Sequence, residues 1–544
     1  MRNLLKKKIL IPFAACVLFF TGTAFQSDFF EIAKQIEIFT TMFKELNMNY
    51  VDETNPGDLM DTAIKGMLND LDPYTVFMNE QDVEAARINS TGDYIGIGAS
   101  VKTLKDRLVV VEPYKDYAAD KAGLKAGDEI IKIEGIDLST FKGDAGDLLR
   151  GSPGSKVNVT YKRQEKTSTA TITRQEVESK AVPLYDMVNE KVGYIALSKF
   201  TRTASRETAN ALRELKAGGA ETLILDLRGN PGGLLLEAVN IVNLFVPKGQ
   251  LVVTTKSKVE KYNKTYYTQN QPLDLNIPLV VLIDGGSASA SEIVSGSLQD
   301  LDRAVVVGTR SFGKGLVQRP KSLTYGTQLK VTISRYYTPS GRCIQALDYW
   351  NRDEDGKAVR TVQENFNEFK TKNGRSVFDG GGIQPDIEIE DAKLSTITKA
   401  INEGDFIFNF ATDFYYNNDV ADMLSFKLSD NDFKDFKSYL KKSGFNFQTK
   451  TEKQLAKALE VAKDEQIDMA ISSNYTKLLN GLNSYKDQAV DDNKSQIRSL
   501  LENEIIKRYF YREGLYEYYL THNKEIKTSV DILSSKARYD SYLN

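Results

Sequence analysis

Histidine is almost absent from these 544 residues: there is one, His522. That excludes His-rich metal sites, because zinc usually takes several His or Cys ligands. It also leaves almost no room for a Ser-His-Asp triad, since His522 sits in a polar Thr-His-Asn-Lys stretch near the C-terminus. Any hydrolase here must find another base. Cysteine is as scarce, with Cys16 and Cys343 only. Cys16 falls in a segment that reads as removable, so no intrachain disulfide is expected. Cys343 has no histidine beside it in sequence and reads as a packing residue. An excess of one charge is missing too: 71 Lys and Arg stand against 74 Asp and Glu, a net charge of −3. No broad basic surface follows, and no nucleic-acid partner is expected.

What is present begins with the first 25 residues. Arg2, Lys6, Lys7 and Lys8 precede an apolar run from Ile9 to Phe20, then Thr21-Gly22-Thr23-Ala24. Charged, apolar, then small is the layout of an export signal, with cleavage expected after Ala24. The run is shorter than the ~20 residues of a spanning helix. Left uncleaved, it would serve as an N-terminal membrane anchor. Ala14-Ala15-Cys16 only faintly resembles a lipoprotein cleavage site. The expected location is outside the cytoplasm, in a bacterial periplasm or cell envelope, where disulfide-free exported chains are at home.

The rest divides into four stretches. Residues 26–80 are predicted helical, with Phe29, Ile32, Ile36, Phe39, Phe43 and Leu46 at three- and four-residue steps. Residues 85–178 carry short β-branched runs separated by glycine, the pattern of a small β-rich module. Residues 180–390 alternate apolar runs (Leu223–Leu227, Leu279–Ile283, Ala304–Val307) with segments long enough for crossover helices, which describes an α/β core. Residues 391–544 show helical periodicity and are predicted to form a separate all-α domain, a candidate lid, oligomer contact or adaptor surface. Its aromatic stretch Phe406–Tyr416 fits core packing better than peptide binding.

Three segments could carry chemistry. Ile283-Asp284-Gly285-Gly286-Ser287-Ala288-Ser289-Ala290-Ser291-Glu292 places a hydroxyl at a helix N-terminus, where free N–H groups favour negative charge. The same residues also read as an ordinary capping box, with Glu292 three positions after Ser289. Gly308 to Lys314 nearly matches a phosphate-binding loop, but Gly315 replaces the required hydroxyl and a strand, not a helix, follows. Ser311-x-x-Lys314 has β-lactamase-like spacing without a Lys-Thr-Gly anywhere, and no G-x-S-x-G elbow occurs. That leaves Lys314 as base, among Gly, Phe, Leu and Val that could desolvate it. Gln318, four residues on, shares its strand face. Leu225 to Gly233 could supply backbone donors to an oxyanion, or be a plain strand-to-helix loop.

Together, D-L-R-G-N-P-G-G (226–233), G-G-S-A-S-A-S-E (285–292), F-G-K-G-L-V-Q (312–318) and Y-Y-T-P-S-G-R (336–342) resemble the C-terminal processing peptidases, or tail-specific proteases, over about residues 30–390. The resemblance implies a crotonase-like (ClpP/crotonase) α/β protease core with an inserted PDZ domain. It makes Ser289 the nucleophile, Lys314 the general base and Gln318 its orienting group. The amides of Ala290 and of Gly232 or Gly233 become the oxyanion hole. Tyr94-Ile95-Gly96-Ile97-Gly98 resembles the carboxylate-binding loop of the family's PDZ domain, and Arg150 matches a position that senses bound peptide in some relatives, a structural arginine being the equal alternative. The implied substrates are protein C-terminal tails, and no metal or cofactor is implied. A catalytically silent PDZ scaffold that binds tails without cutting them is the alternative.

Overall fold

The computed structural model describes residues 29–104, 107–353, 356–389 and 394–544; the export signal expected at residues 1–25 lies outside them. The chain forms two compact units. The smaller comprises residues up to Asn79 together with Pro320–Val331. In it, residues 29–49 and Pro56–Asn69 are helical, and Val76–Met78 pairs antiparallel with Gln328–Lys330. Asn55 accepts the amides of Gly57 and Asp58, capping the second helix ahead of its Pro56. Phe29, Ile32 and Ile36 of the predicted apolar stripe are exposed.

The larger unit holds the other three stretches apart from Pro320–Val331. At its centre is a six-stranded sheet in the order Leu184–Met187, Val192–Ala196, Thr222–Asp226, Leu279–Ile283, Val305–Gly308, Ile387–Glu388. The last five strands run parallel and the first antiparallel. Their continuous apolar runs are explained by burial on both faces. Leu223, Leu225, Val281, Ile283 and Val306 face the helices Ala204–Ala217, Leu235–Asn243 and Ala290–Asp300. Ile224, Val280, Leu282, Val305 and Val307 face the other way, onto Ile526, Ile532, Leu533 and Tyr539.

This second face is covered from the far end of the chain, a placement that helical periodicity alone does not give. A sheet apolar on both sides needs two covers, and the local crossovers supply one. The final helices, Lys524–Leu533 and Lys536–Ser541, supply the other. Only the earlier part of residues 394–544 has a core of its own. There Phe410, Phe414, Phe433, Phe436, Leu440, Ile497, Leu501 and Ile505 cluster. The aromatic stretch lies in the Phe406–Asn417 helix and is core packing.

The β-rich module is an antiparallel sheet ordered Ala99–Leu104, Arg107–Pro113, Glu129–Ile133, Lys156–Arg163, Lys166–Thr173. Its core includes Ile97, Leu108, Val110, Leu124, Ile130, Val157 and Ile172. Fully buried Asp128 is paired with Arg163 at 2.7 Å and accepts the Lys125 amide at 2.8 Å.

Candidate active site

The buried strand Leu279–Ile283 ends at Asp284, whose Oδ1 accepts the amides of Gly229 at 2.8 Å and Gly286 at 2.9 Å. The Ser287 hydroxyl donates to the Leu227 carbonyl at 2.8 Å. This tight turn delivers Ser289 to the N-terminus of the Ala290–Asp300 helix with φ 54° and ψ −109°. A non-glycine residue held at positive φ is strained, and such strain gathers at functional sites. The Ser289 amide donates to Glu292 Oε2 at 2.8 Å, and its carbonyl accepts from the Tyr336 hydroxyl at 3.2 Å. Burial pushes the Tyr336 phenol well above its usual range, so it is a lasting donor.

Glu292 does more than cap. Its side chain is fully buried. Oε1 accepts the Ser311 hydroxyl at 2.6 Å and the Gly313 amide at 2.7 Å; Oε2 accepts the amides of Ser289 at 2.8 Å and Lys314 at 2.9 Å. Burial raises the carboxyl above its ordinary value, and these donors pull it back. One carboxylate oxygen therefore ties Ser289 and Lys314 together, although 25 residues separate them in sequence. The lysine loop is fixed further by bonds from the Phe312 amide to Ser287, the Ala346 amide to Gly313, the Tyr336 amide to Gly315, and the Gly315 amide to Gln345 Oε1. Lys314 itself is half-buried.

The 228–233 loop closes the third side. The Asn230 carbonyl accepts the Ala288 amide at 3.0 Å and the Ser291 hydroxyl at 2.9 Å. Gly232 has φ +97°, and a Cβ there would lie 2.6 Å from the Ala288 carbonyl and 2.9 Å from Ser289 Cβ. Only glycine allows the two backbones to approach this closely. The Gly232 amide donates to Asn230 Oδ1 at 2.9 Å, so it is already engaged. Of the three expected donors, the amides of Gly233 and Ala290 have no acceptor among the described residues.

Gln318 lies on the strand Leu316–Ser322, and its Nε2 donates to the Thr332 hydroxyl at 3.2 Å. It lines a cleft of ≈ 400 Å³ with Leu234, Leu236, Tyr266, Val317 and Ile333. The motif around Tyr336 anchors the helix at both ends, since Arg342 holds Asp300 at 2.7 Å and Gln299 at 2.8 Å. A separate groove of ≈ 400 Å³ in the β-rich module is lined by Tyr94, Gly96, Ile97 and Arg150. Tyr94 and Ile95 lie on the Asp93–Gly96 strand, which pairs with Gln175–Glu178 and leads into Ile97 and Gly98. Arg150 donates to Asp147 at 2.7 Å. His522 stacks on Tyr518, its Nδ1 beside Thr521 and the Tyr518 carbonyl. Burial pushes the Cys343 thiol up, which suits packing and not attack.

Sequence spacing alone misses the cross-links that organise this site: Glu292 beyond its cap, Tyr336 on the Ser289 carbonyl, and Asn230 against the turn that carries Ser289. The Glu at the third helix position and the Tyr-Tyr-Thr-Pro-Ser-Gly-Arg motif were the available signals.

The signature of Peptidase family S41 covers residues 191–349, and that of the PDZ domain residues 95–173. A C-terminal helical domain described for probable PDZ-proteases covers residues 397–533, and the N-terminal domain of the activating protease CtpB covers residues 23–82. The carboxy-terminal-processing protease of Bartonella bacilliformis is 36% identical over 321 residues, 58% of this chain and 73% of that protein. A probable CtpA-like serine protease of Staphylococcus haemolyticus is 28% identical over 455 residues, 83% of this chain and 82% of that one. Among solved structures, the photosystem II D1 C-terminal processing protease shares 27% identity over 65% of this chain and 88% of that one, with a TM-score of 0.37. The chain is a PDZ-containing serine peptidase and belongs to peptidase family S41.

Proposed function

We propose that this peptidase cuts near the C-termini of envelope proteins, with Ser289 as nucleophile and Lys314 as base. The observation that carries the reading is the Glu292 oxygen shared by the Ser289 and Lys314 amides. It supports a serine and a lysine held at one place by a rigid, buried acceptor, the preorganisation that nucleophilic catalysis needs. Neutral Lys314 takes the Ser289 hydroxyl proton as Oγ bonds to the scissile carbonyl carbon. The proton passes to the leaving amine as the C–N bond breaks, and water then hydrolyses the acyl-enzyme. The Gly233 and Ala290 amides receive the oxyanion, and Gln318 orients the lysine. The core is of the crotonase type in this reading. Its apolar cleft takes the residues around the cut.

The PDZ groove lined by Tyr94, Gly96, Ile97 and Arg150 receives a free chain-end carboxylate on backbone N–H groups, so only a true C-terminus is drawn in. Export to the envelope follows from the N-terminal segment of the sequence. The test is cleavage of a disordered reporter with a free or an amidated apolar C-terminus, by wild type, Ser289→Ala and Lys314→Ala. Wild-type cutting should fall on amidation and vanish in both variants. Undiminished cutting by Ser289→Ala overturns the chemistry; cutting indifferent to amidation overturns the role of the groove.

A further inference from the structure

Arg228 stands between the 229–233 loop and the C-terminal helices. Its Nε lies 3.0 Å from both oxygens of Asp226, and its backbone amide donates to Asp226 Oδ1 at 2.9 Å. The Tyr194 hydroxyl donates to Asp226 Oδ2 at 2.7 Å. Nη1 turns the other way. It donates to Asn523 Oδ1 at 2.9 Å and to Glu525 Oε2 at 3.2 Å. The guanidinium carbon also lies 6.0 Å from the centre of the Tyr519 ring. The Asp226–Arg228 pair belongs to the peptidase core, whereas Asn523, Glu525 and Tyr519 come from the far end of the chain.

From Arg228 onward the backbone is bonded step by step to the nucleophile's segment. Gly229 is tied to Asp284, Asn230 to Ala288 and Ser291, and Gly232 packs on Ser289. Whatever fixes Arg228 thus fixes the loop that ends in the Gly233 amide. Arg228 also has room to leave. A cavity of ≈ 460 Å³ is lined by Arg228, Gly229, Asp284, Tyr516, Tyr519 and Glu525. Without the Glu525 carboxylate, Nη1 keeps only Asn523, and the guanidinium, pivoting on Asp226, would tilt into that space toward water and strain the loop.

We propose that Glu525, assisted by Asn523, is a positioning residue for the peptidase reaction. The C-terminal helices then supply a working part of the active site through Arg228. The inference rests on the reading of Ser289 as nucleophile. Glu525 is not needed to hold its own helix. Asn523 caps that helix by accepting the Ile526 amide at 3.0 Å, and fully buried Ile526 and Ile532 seat it on the sheet. Removing the carboxylate should therefore spare the fold and disturb the loop.

The test uses the full chain and the disordered reporter with a free C-terminus. Glu525→Ala should lower kcat by about tenfold to a hundredfold, the scale of a small misplacement in a catalytic site, with KM within about twofold of wild type. Glu525→Gln keeps an oxygen for Nη1 and should regain most of the loss. In a cycle with Arg228→Ala, the double variant should be no slower than Arg228→Ala alone, because both changes act through one arginine. Wild-type kcat in a folded Glu525→Ala overturns the positioning role. So does a loss that Gln does not restore. Equal cutting by wild type and Ser289→Ala would instead sink the nucleophile reading, so the two failures are distinguishable.

Discussion

Each oxygen of the Glu292 carboxylate accepts two donors, which makes glutamine a poor replacement. A Gln amide would turn an NH₂ toward two groups that also donate, whichever way it faced. Two buried donors would lose their acceptor, at a cost of about 1–3 kcal/mol each. Glu292→Gln is expected to destabilise the core by roughly 2–6 kcal/mol on that scale, and to slow cleavage by about tenfold or more as Ser289 and Lys314 part. Denaturant unfolding and reporter kinetics measure the two effects. Glu292 was legible in sequence only as a helix cap, because its partners Ser311, Gly313 and Lys314 lie about twenty residues away and no local spacing announces them.

The Ala290–Asp300 helix is buried along its whole length, so its ends must be satisfied by protein and not by water. Small residues make the burial possible: Ser291, Ser295 and Ser297 turn their hydroxyls back to the Asn230, Ser291 and Val252 carbonyls. At the C-terminal end, Asp300 is fully buried and paired with Arg342, itself 1% exposed and bonded also to Gln299 and the Phe378 carbonyl. Arg342→Ala would leave the Asp300 charge buried without its partner, which typically costs about 3–5 kcal/mol. Arg342→Lys should recover only part, since an ammonium lacks the planar fork that spans Asp300 and Gln299. A shift in the unfolding midpoint reads both; a wild-type midpoint in Arg342→Ala would refute the anchoring. At this scale the sequence is informative where periodicity is strong. The strand Leu279–Ile283 matches its apolar run residue for residue, and the parallel strands beside it do so within about one residue. Gln328–Tyr337 was missed because most of its residues are half-buried and no alternation marks it. Helical period predicted the last helices but not their place, since Ile526 and Ile532 look the same whether they close a separate domain or cover a sheet.

Across the larger unit, the PDZ domain, the helical cluster and the peptidase sheet are joined in series. Lys102 pairs with Asp405 at 2.6 Å, Glu112 with Arg512 at 2.6 Å, and Asp120 accepts the Tyr511 hydroxyl at 2.8 Å. Val109 packs on Phe408, whose ring also lies 4.5 Å from the Arg508 guanidinium. Tyr511 breaks the Lys494–His522 helix with φ 60° and ψ −170°, and beyond that kink come Tyr516 and Tyr519, beside Asp226 and Arg228. Gly127 tests whether the first of these joints is a tight fit. It has φ +92°, and a Cβ there would overlap Thr412 Cγ2 on the Phe406–Asn417 helix. Gly127→Ala therefore carries two penalties: backbone strain of roughly 1–2 kcal/mol, and a clash that pushes the two modules apart. Thr412→Ser removes the overlapping methyl and leaves the hydroxyl contact at 3.0 Å, so in the double variant the strain should dominate. Hydrogen exchange separates the two, because strain loosens the PDZ domain alone whereas the clash also exposes residues 406–417. Faster exchange of that helix in Gly127→Ala, restored by Thr412→Ser, is the expected result. Unchanged exchange there would mean that the PDZ domain and the helical cluster touch without depending on each other, and that a tail bound in the groove has no path through this joint toward Arg228.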